Sequence, residues 1–122
     1  MQTKRIEIVF HNKTDGHGTL TLSDGSSYSC VGKKNYKYHY DSTVNVSDKE
    51  NPHKSREFNC NLPFAIKLDG TRGIYIHEDV TSANGDLGFE SSHGCINLAV
   101  GDAEAVYNFV TGRTRIVISY PW

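Results

Sequence analysis

Apolar and polar positions alternate at the start of the chain, as they do in a strand that packs one face on a core. Arg5–Phe10 follows this alternation and predicts the first strand. Thr19–Leu22 and Tyr28–Val31 flank a short segment rich in Ser and Gly, which predicts a hairpin. We expect a three-residue loop that pairs Leu22 with Tyr28, because this register keeps the apolar side chains of both strands on one face.

A polar stretch lies between positions 32 and 58, and its only aliphatic residues are Val44 and Val46. Such a composition supplies little to a core, so we expect an excursion over the surface. Tyr36, Tyr38 and Tyr40 alternate within this stretch. They fit an aromatic strand face packed on its neighbours, and they also fit a stacking face over a substrate.

Three further strands are predicted in the second half, at Pro63–Leu68, Ile74–His77 and Arg115–Ser119. In the second of these, the isoleucines share one face, and Tyr75 and His77 share the other. The third is apolar enough to close the chain as a buried strand.

One helix is predicted near the C-terminus. Asp102 is a typical N-cap residue, and the apolar positions after it repeat at helical spacing through Thr111. Gly112 is placed to end the helix. The pattern therefore predicts a mostly β chain with one α-helix.

Length and charge exclude several classes of function. The chain has 122 residues and a mass of 13.6 kDa, which is room for one domain over residues 1–122. Its 13 Lys and Arg nearly balance its 14 Asp and Glu, so the net charge of −1 argues against a nucleic-acid partner.

No apolar run reaches the roughly 20 residues that span a bilayer, and a strand pattern begins at once where a signal peptide would stand. We expect neither a membrane span nor an export signal.

The three cysteines, Cys30, Cys60 and Cys95, are too few for a disulfide framework and leave at least one thiol unpaired within the chain. Cys30 and Cys60 fit two alternatives, two small core residues or one disulfide. Cys95 differs from them because a serine, a histidine and a glycine stand directly before it. Cys95 is therefore the candidate for chemistry.

The surroundings of Cys95 suit a nucleophile in acyl transfer. A thiol attacks as the thiolate, so it needs a nearby imidazole or donor N–H groups. Gly94 would let the backbone approach a reacting carbonyl and offer N–H groups to its developing negative oxygen. His93 and His77 both qualify as the base. His93 would share a strand face with the thiol, whereas His77 would reach it from the end of an earlier strand across a polar loop.

A family resemblance rests on these residues. His77, the 14 residues after it and the block 92–97 (Ser-His-Gly-Cys-Ile-Asn) resemble the signature of the L,D-transpeptidase catalytic domain. In that family a histidine precedes a Ser/Thr-His-Gly-Cys-x-Asn/Arg block at this separation. The likeness covers the second half of the chain, from Pro63 to Ile118. It implies a single sandwich-like, mostly β domain with little helix.

The resemblance also implies the roles of individual residues. It makes Cys95 the nucleophile and His77 its base, and it places the oxyanion hole at the N–H groups of Gly94 and Cys95. It gives substrate-binding roles to Ser92, His93, Asn97 and Tyr75. No cofactor and no metal ion are needed for this chemistry.

The implied substrate is the stem peptide of bacterial peptidoglycan. The nucleophile would attack the carbonyl of the third residue, expel the terminal D-alanine and form a thioester. An amine acceptor on a neighbouring stem then gives a cross-link, whereas water gives carboxypeptidase trimming. Such an enzyme acts in the periplasm or at the cell wall.

The sequence departs from the family pattern in three ways. The Thr-Pro-x-Gly turn that is common upstream in the family has no clear counterpart, and the polar stretch 32–58 stands in that region. Glu78 stands where a small residue is more usual, and its carboxylate would orient the imidazole or alter the acceptor preference. The missing export signal fits either an isolated domain or a protein delivered by a specialised secretion machine. In the second case the protein would be an antibacterial effector with mainly carboxypeptidase or exchange activity, and a neutralising immunity protein would be its partner.

Two other classes compete with this interpretation. His77, His93 and Cys95, with Asp79 or Glu78, supply ligand types that suit zinc, although a His-x-Cys pair is a cramped chelate. The alternative is an inactive wall-binding module, which would bind peptidoglycan equally well after replacement of the thiol.

Overall fold

The computed structural model describes residues 4–11, 16–32, 41–51, 53–55, 60–69, 74–78 and 95–119. Within these residues there is one 3-10 turn at Val46–Asp48 and one α-helix, α1, at Asp102–Phe109. In chain order the strands are β1 (Lys4–Phe10), β2 (His17–Leu22), β3 (Ser27–Val31), β4 (Asp41–Val44), β5 (Lys49–Glu50), β6 (His53–Ser55), β7 (Cys60–Leu62), β8 (Ala65–Asp69), β9 (Ile74–Glu78), β10 (Ile96–Leu98) and β11 (Thr114–Ser119). The expected mostly β fold with one helix near the C-terminus is confirmed.

Nine strands form one mixed sheet in the order β4-β11-β1-β2-β3-β10-β9-β8-β5, and β6 pairs with β7 in a separate sheet of two strands. The pairs β1–β11 and β9–β10 are parallel. β4 and β8 are far apart in this order and still contact each other, so the sheet curls. β10, β9, β8 and β5 are consecutive neighbours in one half of it.

The core lies on the inner face of the curled sheet. Fully buried side chains come from both halves of the sheet, for example Ile6 on β1, Leu20 on β2 and Ile66 on β8. α1 adds Ala103 and Val106 and packs against β8, β9 and β10. Burying one such aliphatic side chain stabilises a fold by about 1.5–3 kcal/mol relative to leaving it exposed. The core therefore fixes which face of each strand points outward.

The β2–β3 hairpin forms in a register that differs from the expected one. Leu20, and not Leu22, faces Tyr28. The loop ends at Gly25, where the φ of 99° is in the left-handed region that favours glycine. The side chain of Asp24 holds this loop, because its Oδ1 accepts an N–H from two residues further on at 2.8 Å. The loop thus closes one residue earlier than expected, while the apolar side chains of both strands still share one face.

The boundaries of α1 also differ from the expected ones. Gly101 is the N-cap, and Asp102 is the first residue of the helix. The N–H of Asp102 already donates to a carbonyl oxygen three residues earlier, at 3.1 Å. Its carboxylate lies in the first turn, where the helix dipole favours a negative charge. The helix ends at Phe109 and not at Thr111, so Gly112 does not terminate it.

Two lysines from distant strands bind the carbonyl end of α1. Lys4 Nζ donates to the carbonyl oxygen of Phe109, and Lys49 Nζ donates to that of Val110, each at 2.8 Å. The same ammonium groups lie 4.7 Å from the ring centroid of Phe109 and 4.2 Å from that of Tyr107. A cation is favoured at a helix C-terminus and over an aromatic face. These contacts give the carbonyl oxygens at the end of α1 the hydrogen-bond donors that a further helical turn would otherwise supply.

The strand expected at Pro63–Leu68 begins later. Pro63 and Phe64 form the turn between β7 and β8, and Phe64 has a φ of 50°. The N–H of Phe64 donates to Oδ1 of Asn51 at 3.0 Å. This hydrogen bond replaces the ladder bond that a strand would have made there.

The polar stretch contributes more to the sheet than its composition suggested. β4 and β5 form the two edges of the nine-stranded sheet, and Val44 is buried in the core. Edge strands are often short and carry charged side chains, so a polar stretch can form them. The alternating tyrosines Tyr36, Tyr38 and Tyr40 lie outside the described residues.

Cys30 is a free, buried thiol on β3, as one of the two alternatives predicts, and it forms no disulfide with Cys60. Burial raises the pKa of the Cys30 thiol to about 12. In the described part of the chain, no helix has the length and apolar character needed to cross a membrane.

Candidate active site

The parallel pair β9–β10 brings three of the candidate residues together. In its register Ile76 faces Ile96, and His77 faces Asn97. The isoleucines are buried in the core, so the residues that alternate with them point to the outer face. Tyr75 and His77 on β9 therefore share this face with Asn97 on β10, as the alternation along β9 predicted. We call this surface the site face.

Cys95 directly precedes β10 and is half-buried. It packs against a small apolar cluster made of Leu62, Ala65 and Tyr75, which is separate from the main core. The residue is thus supported by packing and keeps part of its surface exposed. Both properties are needed in a nucleophile that must hold its position and meet a substrate.

The imidazole of His77 is almost fully buried, with 5% of the residue exposed. Its Nδ1 lies 2.6 Å from the backbone carbonyl oxygen of Glu78. A carbonyl oxygen can only accept, so Nδ1 carries the proton and donates it to this bond. Nε2 of the neutral ring then has the free electron pair, which is the form that a general base requires. The hydrogen bond fixes both the orientation and the tautomer of the ring.

The role expected for Glu78 changes accordingly. Its backbone carbonyl, and not its carboxylate, orients His77. The N–H of Glu78 donates to the carbonyl oxygen of Pro63 at 3.0 Å, which ties the end of β9 to the β7–β8 turn. This backbone contact is independent of the side chain of Glu78.

Asn97 supplies a buried acceptor on the site face. Its Oδ1 is inaccessible to solvent and has no hydrogen-bond partner within the described part of the chain. A buried oxygen without a partner costs about 1–3 kcal/mol, so such atoms are uncommon in folded proteins. Its position beside His77 makes Asn97 a candidate residue of the site.

Tyr75 belongs to the cluster on which Cys95 packs, and it also feels the charge of Glu50 on the edge strand β5. Burial raises the pKa of the Tyr75 phenol, and the charges of Glu50 and Cys95 raise it further. The phenol is therefore neutral at physiological pH and can donate a hydrogen bond. Sequence reasoning did not single out Glu50, because a two-residue strand in a polar stretch produces no alternating pattern.

Three of the predicted site residues, Ser92, His93 and Gly94, lie outside the described residues. The oxyanion hole at Gly94 and Cys95 and the contributions of Ser92 and His93 stay predictions. The structure brings the remaining four, Cys95, His77, Asn97 and Tyr75, to one face of adjacent strands.

The metal alternative needs ligands from several segments. In the ranges that the structure describes, no group of three or more His, Cys, Asp or Glu side chains is arranged to hold a metal ion. Two of the suggested ligands, Asp79 and His93, lie outside those ranges. Nδ1 of His77 already donates to a carbonyl, so only its Nε2 could coordinate a metal.

Comparison with known proteins identifies the family to which this chain belongs. The family model of the L,D-transpeptidase catalytic domain (YkuD) matches residues 14–118. The chain belongs to this family. The resemblance found in the second half of the sequence is thereby confirmed and extended to most of the first half. Members of this family act on peptidoglycan at the cell wall, and the match gives no support to an antibacterial effector role.

Solved structures of L,D-transpeptidases show the same fold. One from Stackebrandtia nassauensis has 20% sequence identity and a TM-score of 0.61, over 98% of this chain and 58% of that chain. One from Mycobacterium smegmatis has 19% identity and a TM-score of 0.64, over 94% and 58%. A third, solved in complex with imipenem, has 18% identity and a TM-score of 0.60, over 93% and 59%. This L,D-transpeptidase chain therefore spans less than two thirds of the structures it matches. Among curated proteins, none matches the sequence.

Proposed function

We propose that residues 1–122 form one catalytic domain, a cysteine acyltransferase that acts on peptidoglycan stem peptides in the periplasm or at the cell wall. Cys95 is the nucleophile and His77 is its base. The observation that supports this most strongly is the placement of a half-buried cysteine and an imidazole on one face of adjacent strands, where a backbone carbonyl orients the ring. The family match supplies the substrate class.

In the acylation step, Nε2 of His77 takes the proton of the Cys95 thiol. The sulfur then attacks the carbonyl carbon of the third residue of the stem peptide. The N–H groups of Gly94 and Cys95 stabilise the negative oxygen that develops. When the peptide bond breaks, the imidazolium returns the proton to the amine of D-alanine, which leaves. The product is a thioester between the peptide and Cys95.

In the second step, an amine or water attacks the thioester carbon. His77 takes the proton of the nucleophile, the bond between carbon and sulfur breaks, and the imidazolium returns the proton to the thiolate. An amine from a neighbouring stem gives a cross-link, and water gives a trimmed tripeptide. Burial of the apolar cluster under Cys95 limits the access of water from beneath.

The side chains around the thiol bind the substrate. Oδ1 of Asn97 accepts a backbone N–H of the donor peptide, and the neutral phenol of Tyr75 donates to one of its carbonyl oxygens. Ser92 and His93, which stand shortly before Cys95 in the sequence, contribute further contacts to the substrate.

The first test uses imipenem, which is bound by one of the structurally similar transpeptidases. Incubation of the purified protein with imipenem should produce a covalent adduct on Cys95 that is detected by intact mass spectrometry. The adduct should be absent in Cys95→Ala and retained in Cys30→Ala, which removes a buried thiol away from the site. His77→Gln should slow adduct formation by about 100-fold or more, since it removes the base. An unmodified mass of the natural protein after long incubation would contradict the proposal.

The second test identifies the product. Muropeptides incubated with the protein and analysed by mass spectrometry should lose D-alanine, and new dimers should appear if an amine is the acceptor. Cys95→Ala should produce neither product. Retention of Cys95→Ala on peptidoglycan, with no product from the natural protein, would instead favour the inactive wall-binding module.

A further inference from the structure

Phe64, in the turn between β7 and β8, has a backbone conformation that residues with a side chain rarely adopt. Its φ of 50° lies in the left-handed region, where Cβ comes too close to the backbone. Among the described residues that carry a side chain, it alone has a positive φ. Such a conformation persists only where surrounding contacts hold it, and it is found most often at functional sites. The contacts of this turn therefore point to a role beyond the connection of two strands.

The peptide group between Pro63 and Phe64 is hydrogen-bonded at both of its ends. The N–H of Phe64 donates to Oδ1 of Asn51 at 3.0 Å. The carbonyl oxygen of Pro63 accepts the N–H of Glu78, also at 3.0 Å. A peptide group is planar, so its N–H and its carbonyl cannot turn independently. The hydrogen bond to the Asn51 side chain therefore also fixes the direction in which the Pro63 carbonyl points.

The side chain of Phe64 is held from another direction. Its ring contacts the ring of Tyr107 on α1 edge to face, with 5.5 Å between the centroids and 72° between the planes. This is a favoured arrangement of two aromatic rings, and both of them pack against the main core. The ammonium group of Lys49 lies 4.2 Å from the centroid of the Tyr107 ring. The strained residue is thus fixed through its backbone by Asn51 and through its side chain by α1.

The turn is connected to the imidazole of His77 through a single residue. Glu78 is the last residue of β9, and its N–H is bound by the Pro63 carbonyl. The carbonyl oxygen of the same residue accepts the proton of His77 Nδ1 at 2.6 Å. A rotation of the Pro63 carbonyl would release the N–H of Glu78 and allow its carbonyl to move. The orientation of the imidazole therefore depends on the geometry of the turn.

We propose that Asn51 is a positioning residue for the reaction, which acts through the Pro63–Phe64 peptide group and Glu78 to keep the proton of His77 on Nδ1. This inference rests on the proposed function, in which Nε2 of His77 is the base. Without the Asn51 acceptor, the backbone of Phe64 relaxes toward a negative φ and the Pro63 carbonyl turns away. The imidazole then loses its fixed acceptor and divides between two tautomers, of which only one has the electron pair on Nε2.

The test compares Asn51→Ala, which removes the acceptor, with Asn51→Asp, which keeps an oxygen at the same place. ¹⁵N NMR of the neutral His77 ring should show Nδ1 protonated in the natural protein and a mixture of tautomers in Asn51→Ala. At saturating imipenem, the rate of Cys95 acylation in Asn51→Ala should fall about two- to tenfold, the range that the loss of one hydrogen bond allows. The imipenem concentration that gives half of this rate should not change. Asn51→Asp should keep the natural tautomer and the natural rate.

A second pair of variants tests the other side of the turn. Tyr107→Leu removes the ring on which Phe64 packs, so it should shift the tautomer of His77 in the same direction as Asn51→Ala. Tyr107→Phe keeps the ring and should retain the natural tautomer. Asn108→Ala, on the exposed side of α1, is the control for a change in the helix that does not reach the turn.

The outcomes separate the inference from the proposed function. A natural tautomer and a natural rate in Asn51→Ala would overturn the inference and leave the proposed function intact. Slower acylation without a change of tautomer would overturn it as well, because Asn51 would then act on something other than the His77 ring. The same holds if Asn51→Asp is as slow as Asn51→Ala. No acylation of the natural protein would overturn the proposed function and the inference with it.

Discussion

Asn97 faces His77 directly across the parallel pair β9–β10, and Oδ1 of Asn97 is buried without a hydrogen-bond partner in the described part of the chain. The buried oxygen is thus held next to the base at a cost to the stability of the fold. In an enzyme, such a cost is repaid when a substrate supplies the missing donor.

Replacement of Asn97 by alanine should therefore lower activity and leave the stability of the fold almost unchanged. The free energy of unfolding should change by less than about 1 kcal/mol, because the variant removes an unsatisfied acceptor as well as packing. The rate of Cys95 acylation by imipenem should fall about tenfold or more, as expected when a hydrogen bond to the substrate is lost. Asn108→Ala, on the exposed side of α1, is the control and should leave the rate unchanged. A normal acylation rate in Asn97→Ala would contradict the role assigned to this side chain.

The tautomer of His77 can be measured directly. We expect ¹⁵N NMR of the neutral ring to show a proton on Nδ1 and none on Nε2, because the carbonyl oxygen of Glu78 requires a donor. Glu78→Gln should show the same tautomer, since the backbone and not the side chain accepts the bond. A proton on Nε2 in either protein would mean that the ring is not prepared as a base.

Gly18 allows two central strands to approach closely. A Cβ at this position would lie 2.8 Å from the carbonyl oxygen of Val9 and 3.2 Å from Cα of Phe10. Gly18→Ala should therefore lower the free energy of unfolding by about 1–3 kcal/mol, as measured by chemical denaturation. At Gly112 a Cβ would meet nothing within 4 Å. Gly112→Ala should stay within about 0.5 kcal/mol of the natural protein, and similar losses in both variants would refute this explanation.

The ammonium group of Lys4 should stabilise the end of α1. Its Nζ donates to the carbonyl oxygen of Phe109 and to Oγ1 of Thr111, at 2.8 Å and 3.0 Å. Lys4→Met should lower the free energy of unfolding by about 1 kcal/mol. Lys67→Met is the comparison, since Nζ of Lys67 lies 3.9 Å from Asp48 in a partly exposed pair that contributes at most about 0.5 kcal/mol. If the two variants have the same free energy of unfolding, the contact between Lys4 and the end of α1 does not stabilise the fold.

The buried thiol of Cys30 should make stability depend on alkaline pH. Its pKa is raised to about 12 in the folded protein, whereas an unfolded cysteine ionises near 8.5. Above the unfolded pKa only the unfolded chain loses this proton, so folding becomes less favourable as the pH rises. Between pH 8 and pH 10 this effect should amount to roughly 1–2 kcal/mol, and Cys30→Ala should lack it. Equal pH dependence in both proteins, measured by denaturation at each pH, would exclude Cys30 as the source.

The alternation of apolar and polar residues was enough to predict strands where one face is buried and the other is not. It placed β1, β9 and β11 nearly correctly, because their core residues repeat at every second position. The register of the β2–β3 hairpin and the end of α1 were predicted incorrectly from the sequence. Those features depend on the side chain of Asp24 and on lysines that are far away in sequence, such as Lys4.

Part of the candidate site was also predictable from the sequence. Residue types and the family resemblance pointed to Cys95 and His77, and the parallel register of β9 and β10 then places Asn97 beside the imidazole. The contact between Nδ1 and a backbone carbonyl has no signature in the sequence, since every residue carries a carbonyl. The position of Glu50 depends on which strand becomes the neighbour of β8, and a two-residue strand gives no local pattern for it.

The alternation within β9 and β10 also has an evolutionary consequence. Ile74, Ile76 and Ile96 face the interior, while the residues between them lie on the site face. Selection can therefore modify one set without disturbing the other. Exchanges at the outward positions 75 and 97 would retarget such an enzyme to other peptides, and the inward positions would preserve the fold through each change.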